Sequence, residues 1–406
     1  MAQANTWSGG SFVIAEASIV GLDQRSGVAL EVLVKRRGKE DVKEMVEFDL
    51  NAIPVPERKR YYGDLPPVPE DTERTVIDDV VRRMNRLCWI VGQPTVTGKL
   101  IQLAIQMGGA GVGNLRENMY LNQVPHNRYV RDYFYEQAAL AVHDAVVLCS
   151  EGKCINRMLI TSQFPEMNPS MDSYRIGTIL EMVRTIGIKL AEENLRVRIC
   201  VQGSMGVGIF TGMPKQLNGV SKIIQMMDWQ SGEGELNEGM VGDYIRFGAV
   251  GPEHVLNEEK DKDDNVVQYQ DDVFILIAPQ SMVGTDSSIM PLLQGMVEAA
   301  GNRPVILMNP DLTDKVSAAG QQSVRGRQQR IDFAESFQTV YHFQNIYISG
   351  TSYFPILGAI TKLHPKEPWL AHQRRDYADG EGEIYVPVLA GEVIPKGEEI
   401  LDAFDR

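Results

Sequence analysis

The chain has 406 residues, 43% hydrophobic and 23% charged, ordinary globular proportions that exclude a disordered or fibrous protein. Its 40 Lys and Arg against 54 Asp and Glu leave a net charge of −14. Such a surface repels phosphate backbones and anionic lipid, which disfavours general nucleic-acid binding and electrostatic membrane docking. No apolar run approaches the roughly 18 residues of a membrane span. The first ten residues, MAQANTWSGG, lack the charged and apolar regions of a secretory signal and the Arg and Ser enrichment of a transit peptide. Any organellar targeting segment is therefore expected to be absent from this chain.

Three regions are expected in chain order. Residues 1–52 hold a β-meander, in which SFVIAEASIVGL, VALEVLVKR and EMVEFDL alternate in part and are broken by turns at 23–27 and 37–41. Residues 53–118 form a Pro- and Gly-containing connector with a helix over about 75–91, whose apolar positions are Val76, Val80, Val81, Met84 and Leu87. Residues 119–406 alternate long helices and short apolar strands. Helices are predicted at 127–150, 172–194, 215–229, 286–300 and 322–337, and strands at 157–164, 196–202, 244–250, 272–278 and 304–308. Strands joined by long crossover helices pair in parallel, so the predicted class is α/β, a doubly wound, mostly parallel sheet under helices on both faces in a three-layer, Rossmann-like arrangement. VFILI and VILM are apolar on both faces, as central strands require. The acidic run 257–264 (NEEKDKDD) reads as a solvated excursion, and the chain beyond Val340 turns β-rich, ending in a β-rich segment over 383–400.

No catalytic set, cofactor motif or metal-ligand spacing is legible. The four cysteines (Cys88, Cys149, Cys154, Cys200) show no CxxC or Cys/His pattern. Cys88 and Cys200 sit in apolar runs and read as buried thiols, while Cys149 and Cys154 straddle a turn that is open to pairing or redox sensing. The six histidines are scattered, without a Ser/His/Asp context. The candidate ligand-binding rim is the loop Gly203, Ser204, Gly206 and Gly208, which leaves a parallel strand at its carboxyl end, where open α/β sheets bind ligands. It lacks the GxGxxG spacing and the Lys of a phosphate loop, and a tight chain crossing explains the glycines equally well. Phe164-Pro165-Glu166, Ala278-Pro279-Gln280 and Asn309-Pro310-Asp311 each end a strand with Pro and a polar residue. Gln280, Asn309 and Asp311 are thereby expected on the same rim, although strand-stopping turns account for the pattern as well. Arg325, Arg327 and Arg330 form a local positive patch suited to carboxylate or phosphate partners.

The segments PHNRYVRDYFYEQAALAV, FPEMNPSMDSYRIGTILEMVR, VRICVQGSMGVGIFTGMP, DYIRFGAVG, DDVFILIAPQ, RPVILMNPDL and FAESFQTVYHFQNIYISG together resemble the plastid proteins of the domain-of-unknown-function 1995 family. The resemblance runs from about residue 121 to 404, and its nearest subset is similar to the low photosystem II accumulation proteins of chloroplasts. It implies a stromal protein, at most peripheral to thylakoids, that helps build photosystem II through contacts with assembly intermediates or other assembly factors. The family has no agreed catalytic residues to carry over. On this reading Arg325, Arg327, Arg330, Tyr341, Phe343 and Tyr347 are candidate partner-binding residues, since aromatic and Arg side chains often anchor interfaces. Two alternatives stay open: a self-assembling homo-oligomeric scaffold joined through its β-rich ends, and a small-molecule enzyme or sensor using the Gly203 rim.

Overall fold

The protein's structure, a computed structural model, describes residues 12–23, 27–36, 42–49, 101–102, 115, 119–150, 155–168, 173–203, 219–229, 243–255, 258–260, 266–268, 271–280, 289–312, 327–348, 355–376 and 383–404. The chain divides into two compact units, one of Met1–Asn122, Asn345–Lys362 and Lys366–Arg406, the other of Gln123–Gln344 and Leu363–Pro365.

The N-terminal meander forms as its alternation predicts. β1 (Phe12–Asp23), β2 (Gly27–Arg36) and β3 (Val42–Asp49) make an antiparallel sheet. The helix expected over 75–91 lies outside the described residues.

The second unit carries α1 (Arg128–Ser150), β4 (Arg157–Gln163), α2 (Ile176–Glu192), β5 (Val197–Val201), α3 (Val220–Met226), β6 (Ile245–Ala249), β7 (Glu258–Lys260), β8 (Val266–Gln268), β9 (Val273–Ile277), α4 (Met290–Ala300), β10 (Val305–Met308), α5 (Arg327–Glu335) and most of β11 (Gln338–Ile346). Its sheet runs β11-β4-β10-β9-β5-β6, and every adjacent pair is parallel. β5, β9 and β10 are buried along their whole length, because helices cover both faces. On one face Phe274, Leu276, Val305, Leu307 and Cys200 pack against Met290, Leu293 and Met296 of α4 and Phe333 of α5. On the other, Ile199 approaches Gly187 of α2, where an added Cβ would stand 3.3 Å from Trp229.

Local sequence explains where these elements stop. α2 buries Ile179, Leu180, Val183, Ile186 and Leu190, a three-and-four spacing on one side. It ends where Asn194 takes φ 62°, with its N–H on Ala191 O and the Leu195 N–H on Leu190 O, the paired bonds of a Schellman cap. Within the acidic run read as a plain excursion, Glu258–Lys260 form β7, which pairs antiparallel with β8. At the amino ends of β5, β6 and β9 sits a buried ion cluster. Arg198 Nε donates to Asp271 Oδ2 at 2.6 Å, and Arg246 Nη1 lies 3.6 Å from Oδ1.

In the first unit, β12 (Gly358–Lys362), β13 (Trp369–Asp376) and β14 (Glu383–Gly391) pair antiparallel. The architecture is therefore mixed α/β. The expectation of a mostly parallel, Rossmann-like sheet described the helix-linked strands and missed these hairpins, whose short connections favour antiparallel pairing. The β-rich reading of 383–400 also needs correction, because strand β14 ends at Gly391 and α6 (Gly397–Phe404) follows. Glu399 Oε2 accepts the Lys396 N–H at 2.7 Å, half of a capping box. Ile400 and Phe404 then pack on Ile360, Ala371, Trp369 and Leu389. Asn122 closes the unit: its N–H and Nδ2 donate to Glu383 at 3.1 and 2.8 Å, and its Oδ1 accepts the Ile356 N–H at 2.6 Å.

The turn after β12 carries a titratable pair. Burial pushes the Glu367 carboxyl up to about 7, opposed by the nearby Lys362 charge. Burial also pulls the Lys362 ammonium below its usual range, while Nζ donates to the Glu367 backbone carbonyl and lies 6.0 Å from the Trp369 ring centroid. A carboxyl whose folded-state pKa is raised favours its protonated form, so its stabilising contribution is complete below the unfolded value and is lost as pH rises through about 7. Glu367 alone should thus lower the unfolding free energy on the order of 2 kcal/mol between pH 5 and 8. The buried rings of His342 and His372, pulled down to about 4 by burial, act in the opposite sense as pH rises towards their ordinary value of 6.5. Glu367→Gln should therefore make stability rise more steeply with pH in denaturant titrations, and an unchanged slope would remove Glu367 as a contributor.

Candidate functional site

The connection from β5 leads outward to β6, whereas the connection from β9 leads the opposite way to β10. The carboxyl ends of β5 and β9 thus form a topological switch point, the usual ligand position in open α/β sheets. Gln202 and Gly203 leave β5 there, and Ala278-Pro279-Gln280 leave β9. Asn309-Pro310-Asp311 leave β10, and Phe164-Pro165-Glu166 leave β4.

Two side-chain amides bind this rim together. Gln202, 1% exposed, accepts the Gln280 N–H on Oε1 at 2.8 Å and donates Nε2 to Gln280 O at 3.2 Å. Asn309 accepts the Ser162 N–H on Oδ1 at 2.6 Å and donates Nδ2 to Ser162 O at 2.8 Å. Each amide stands in for a peptide unit of a neighbouring strand and satisfies a strand-end donor and acceptor at once. Ala278 (φ 42°) and Asn309 (φ 45°) both adopt the left-handed region just before a proline. The reversal brings Gln280 and Asp311 into a parallel bridge, and the Asp311 N–H donates to Pro279 O at 2.9 Å. One Pro-polar strand end is thus a 3-10 turn over Pro165–Met167, and the other two are bends joined by a hydrogen-bonded bridge.

Beside β4, Glu166 is buried with His126. The His126 N–H donates to Glu166 Oε1, and Nδ1 lies 2.7 Å from Oε2. Burial alone would raise the Glu166 carboxyl, but the hydrogen bonds and charge of His126 outweigh it and hold the carboxyl below its ordinary value. The His126 ring packs edge-on to Phe164, which stacks on Phe134, and Phe134 meets Phe343 at 4.2 Å between centroids.

Of the sequence-predicted rim, Gly203, Gln280, Asn309 and Asp311 stand at the same sheet edge, and an added Cβ at Gly203 would meet none of the described residues within 4 Å. Ser204, Gly206 and Gly208 lie outside the described residues, as do Arg325 and the side chain of Arg327. Arg330 is buried in α5, and Tyr341 and Phe343 are fully buried while Tyr347 is half-buried. Tyr341 and Phe343 thus serve as core, Phe343 packing against Phe134 and Phe164. Sequence reasoning missed the partners of Gln202, His126, Asn122 and Glu383, which lie 40 to 261 residues away. The one local signal was a glutamine directly ahead of a glycine at a strand end. Cys200 is fully buried, and burial pushes its thiol up to about 12, which suits the inert role expected for it.

Substitution at Asn309 separates strain from clamping. Asn309→Ala removes both bonds to Ser162 and leaves a Cβ in the left-handed region, an expected loss of about 2–4 kcal/mol. Asn309→Gly keeps the backbone relaxed and should cost about 1 kcal/mol less. Equal losses in urea titrations would show that the φ carries no strain.

Among the described residues no group of three or more His, Cys, Asp or Glu is placed to hold a metal ion, and no helix is long and apolar enough to cross a membrane. The sequence model of one family, described as Domain of unknown function (DUF1995), matches residues 130–402, the span that runs from α1 through the rim and β14 into α6, and the protein belongs to that family.

Proposed function

We propose that this chain is a non-enzymatic plastid protein, stromal and at most peripheral to the thylakoid, which assists photosystem II biogenesis through protein contacts. One observation carries the non-enzymatic part. The polar groups best placed for chemistry at the sheet edge are spent on the fold, with the Gln202 and Asn309 amides on strand-end backbone and Glu166 on His126. Resemblance to the low photosystem II accumulation proteins, together with family membership, supports the plastid part. Affinity purification from plastid membranes with the full chain should recover photosystem II assembly intermediates. Recovery of soluble stromal enzymes alone would count against it.

A second reading keeps the rim as a binding site for a small anionic metabolite or nucleotide. It is favoured by the switch-point position of Gly203, which no described residue crowds. Thermal-shift screening with nucleotides and sugar phosphates decides, because ligand at one hundred times its Kd adds about 2.7 kcal/mol. No shift with any of them removes this reading.

A further inference from the structure

Three large aliphatic side chains within nine residues face solvent at the end of the first unit: Val393 is 74% exposed, Ile394 45% and Leu401 65%. Isolated apolar residues on a surface need no explanation, but a group of them does. The arrangement follows from how α6 seats. Ile400 and Phe404, four apart, occupy its inner side against Ile360, Ala371 and Leu389. Glu398 and Asp402, four apart, share the opposite side, and the exposed Leu401 lies on the flank between them and the seated face. Val393 and Ile394 lie in the segment that leads into the helix. Four exposed carboxylates (Glu392, Glu398, Glu399, Asp402) accompany them against one exposed ammonium, Lys396, so four minus one leaves a local charge of −3. Among the described residues Arg375 is a further cation linked to the helix end: its Nη2 lies 3.4 Å from Gln373 Oε1, and Gln373 Nε2 donates to Phe404 O.

We infer that this apolar, acid-bordered face of α6 and the preceding turn docks a basic amphipathic segment of a partner protein. Charge complementarity selects that occupant. Two copies of the face would bring like charges together, and an anionic membrane would be repelled by the same carboxylates. A segment with aliphatic and Lys or Arg side chains buries the aliphatic group and pairs the border. The inference rests on the protein-contact reading above and names the kind of partner.

The test uses the full chain and three synthetic peptides: an amphipathic one of Leu and Lys, its counterpart with Glu for Lys, and a Lys/Gln peptide without apolar residues. The Leu/Lys peptide should bind, with affinity falling as salt is raised, and the other two should not. A double variant, Val393→Gln with Leu401→Gln, should weaken binding about tenfold or more while its melting temperature stays put, since both side chains are exposed. Glu398→Gln with Asp402→Asn should flatten the salt dependence. Equal binding of the Lys/Gln peptide, or unchanged affinity in the Val393/Leu401 variant, overturns the inference. So does a concentration-dependent mass increase that the double variant abolishes, which would make a second copy the occupant, or retention on phosphatidylserine vesicles that the variant loses. If the double variant still recovers photosystem II intermediates from plastid membranes as well as the wild type does, the face is excluded and the protein-contact reading stands. If neither protein recovers any, that reading falls by itself.

Discussion

Asp271→Ala is expected to lower the unfolding free energy by about 3–5 kcal/mol, because it leaves buried positive charge without its counter-ion. The Asp271 carboxylate is fully buried, and its partners Arg198 and Arg246 have side chains only 4% and 9% exposed. Arg303 Nη1 donates to the Asp271 backbone carbonyl at 3.0 Å, so three guanidinium groups converge on one residue. The carboxylate is what makes this concentration of cations tolerable at the amino edge of β5, β6 and β9. Asp271→Asn keeps the shape but not the charge and should lose a similar amount. Adding Arg198→Met to Asp271→Ala should recover part of the loss, since the apolar side chain removes the cation nearest to the missing carboxylate. Guanidinium denaturation of the full chain measures all three, and a loss below about 1 kcal/mol for Asp271→Ala would show that water, rather than the carboxylate, screens the arginines.

Gly358→Ala is expected to be the most damaging single methyl group in the first unit, at about 3 kcal/mol or more. A Cβ on Gly358 would stand 2.1 Å from the His372 backbone oxygen and 2.8 Å from Phe404 Cζ. The Phe404 ring has some freedom to move, but the carbonyl belongs to β13, which pairs with β12 through Gly358↔Gln373 and Ala359↔His372. Relief therefore means separating two hydrogen-bonded strands or lifting α6 from its seat on Ile360 and Ala371. Hydrogen exchange should show the loss confined to β12, β13 and α6, with β4, β5, β9 and β10 protected as in the wild type. Uniform loss of protection across both groups of strands would mean that the two units unfold as one. A fully stable variant would show that the β12–β13 spacing is wider than the structure has it.

How much of this was readable in the residues depends on the range of the interaction responsible. The parallel strands were legible because VFILI and VILM are apolar on both faces and are followed by helical periodicity, a local pattern with a single pairing outcome. α1 and α2 appeared close to their predicted bounds for the same reason, with α2 closed by an asparagine suited to φ 62°. α6 was misread as a continuation of strand because Val393, Ile394 and Ile400 look β-prone in isolation. The Lys396–Glu399 cap and the seat on β12 and β13 outweigh that propensity. The Pro-polar strand ends were correctly placed on one edge, yet their purpose was not visible. Whether Asn309 and Gln202 face a ligand or a backbone depends on which strands become neighbours. Tyr341 and Phe343 illustrate the same limit, since an aromatic strand reads alike as interface or core until its sheet position is known.

The sequence by itself determined the composition class, the helix-linked parallel strands, the N-terminal meander, the turns at the strand ends and the absence of a long apolar span. All of these rest on contacts between residues a few positions apart or on bulk composition. Only the tertiary structure decided the strand order β11-β4-β10-β9-β5-β6, the antiparallel pairing of β12 to β14 and the two amide clamps. It also decided the Asp271 cluster and the aliphatic group left facing water on α6. Each of these joins residues that are tens to hundreds of positions apart. Their partners are chosen by the packing free energy of the whole sheet, which no local window of sequence contains.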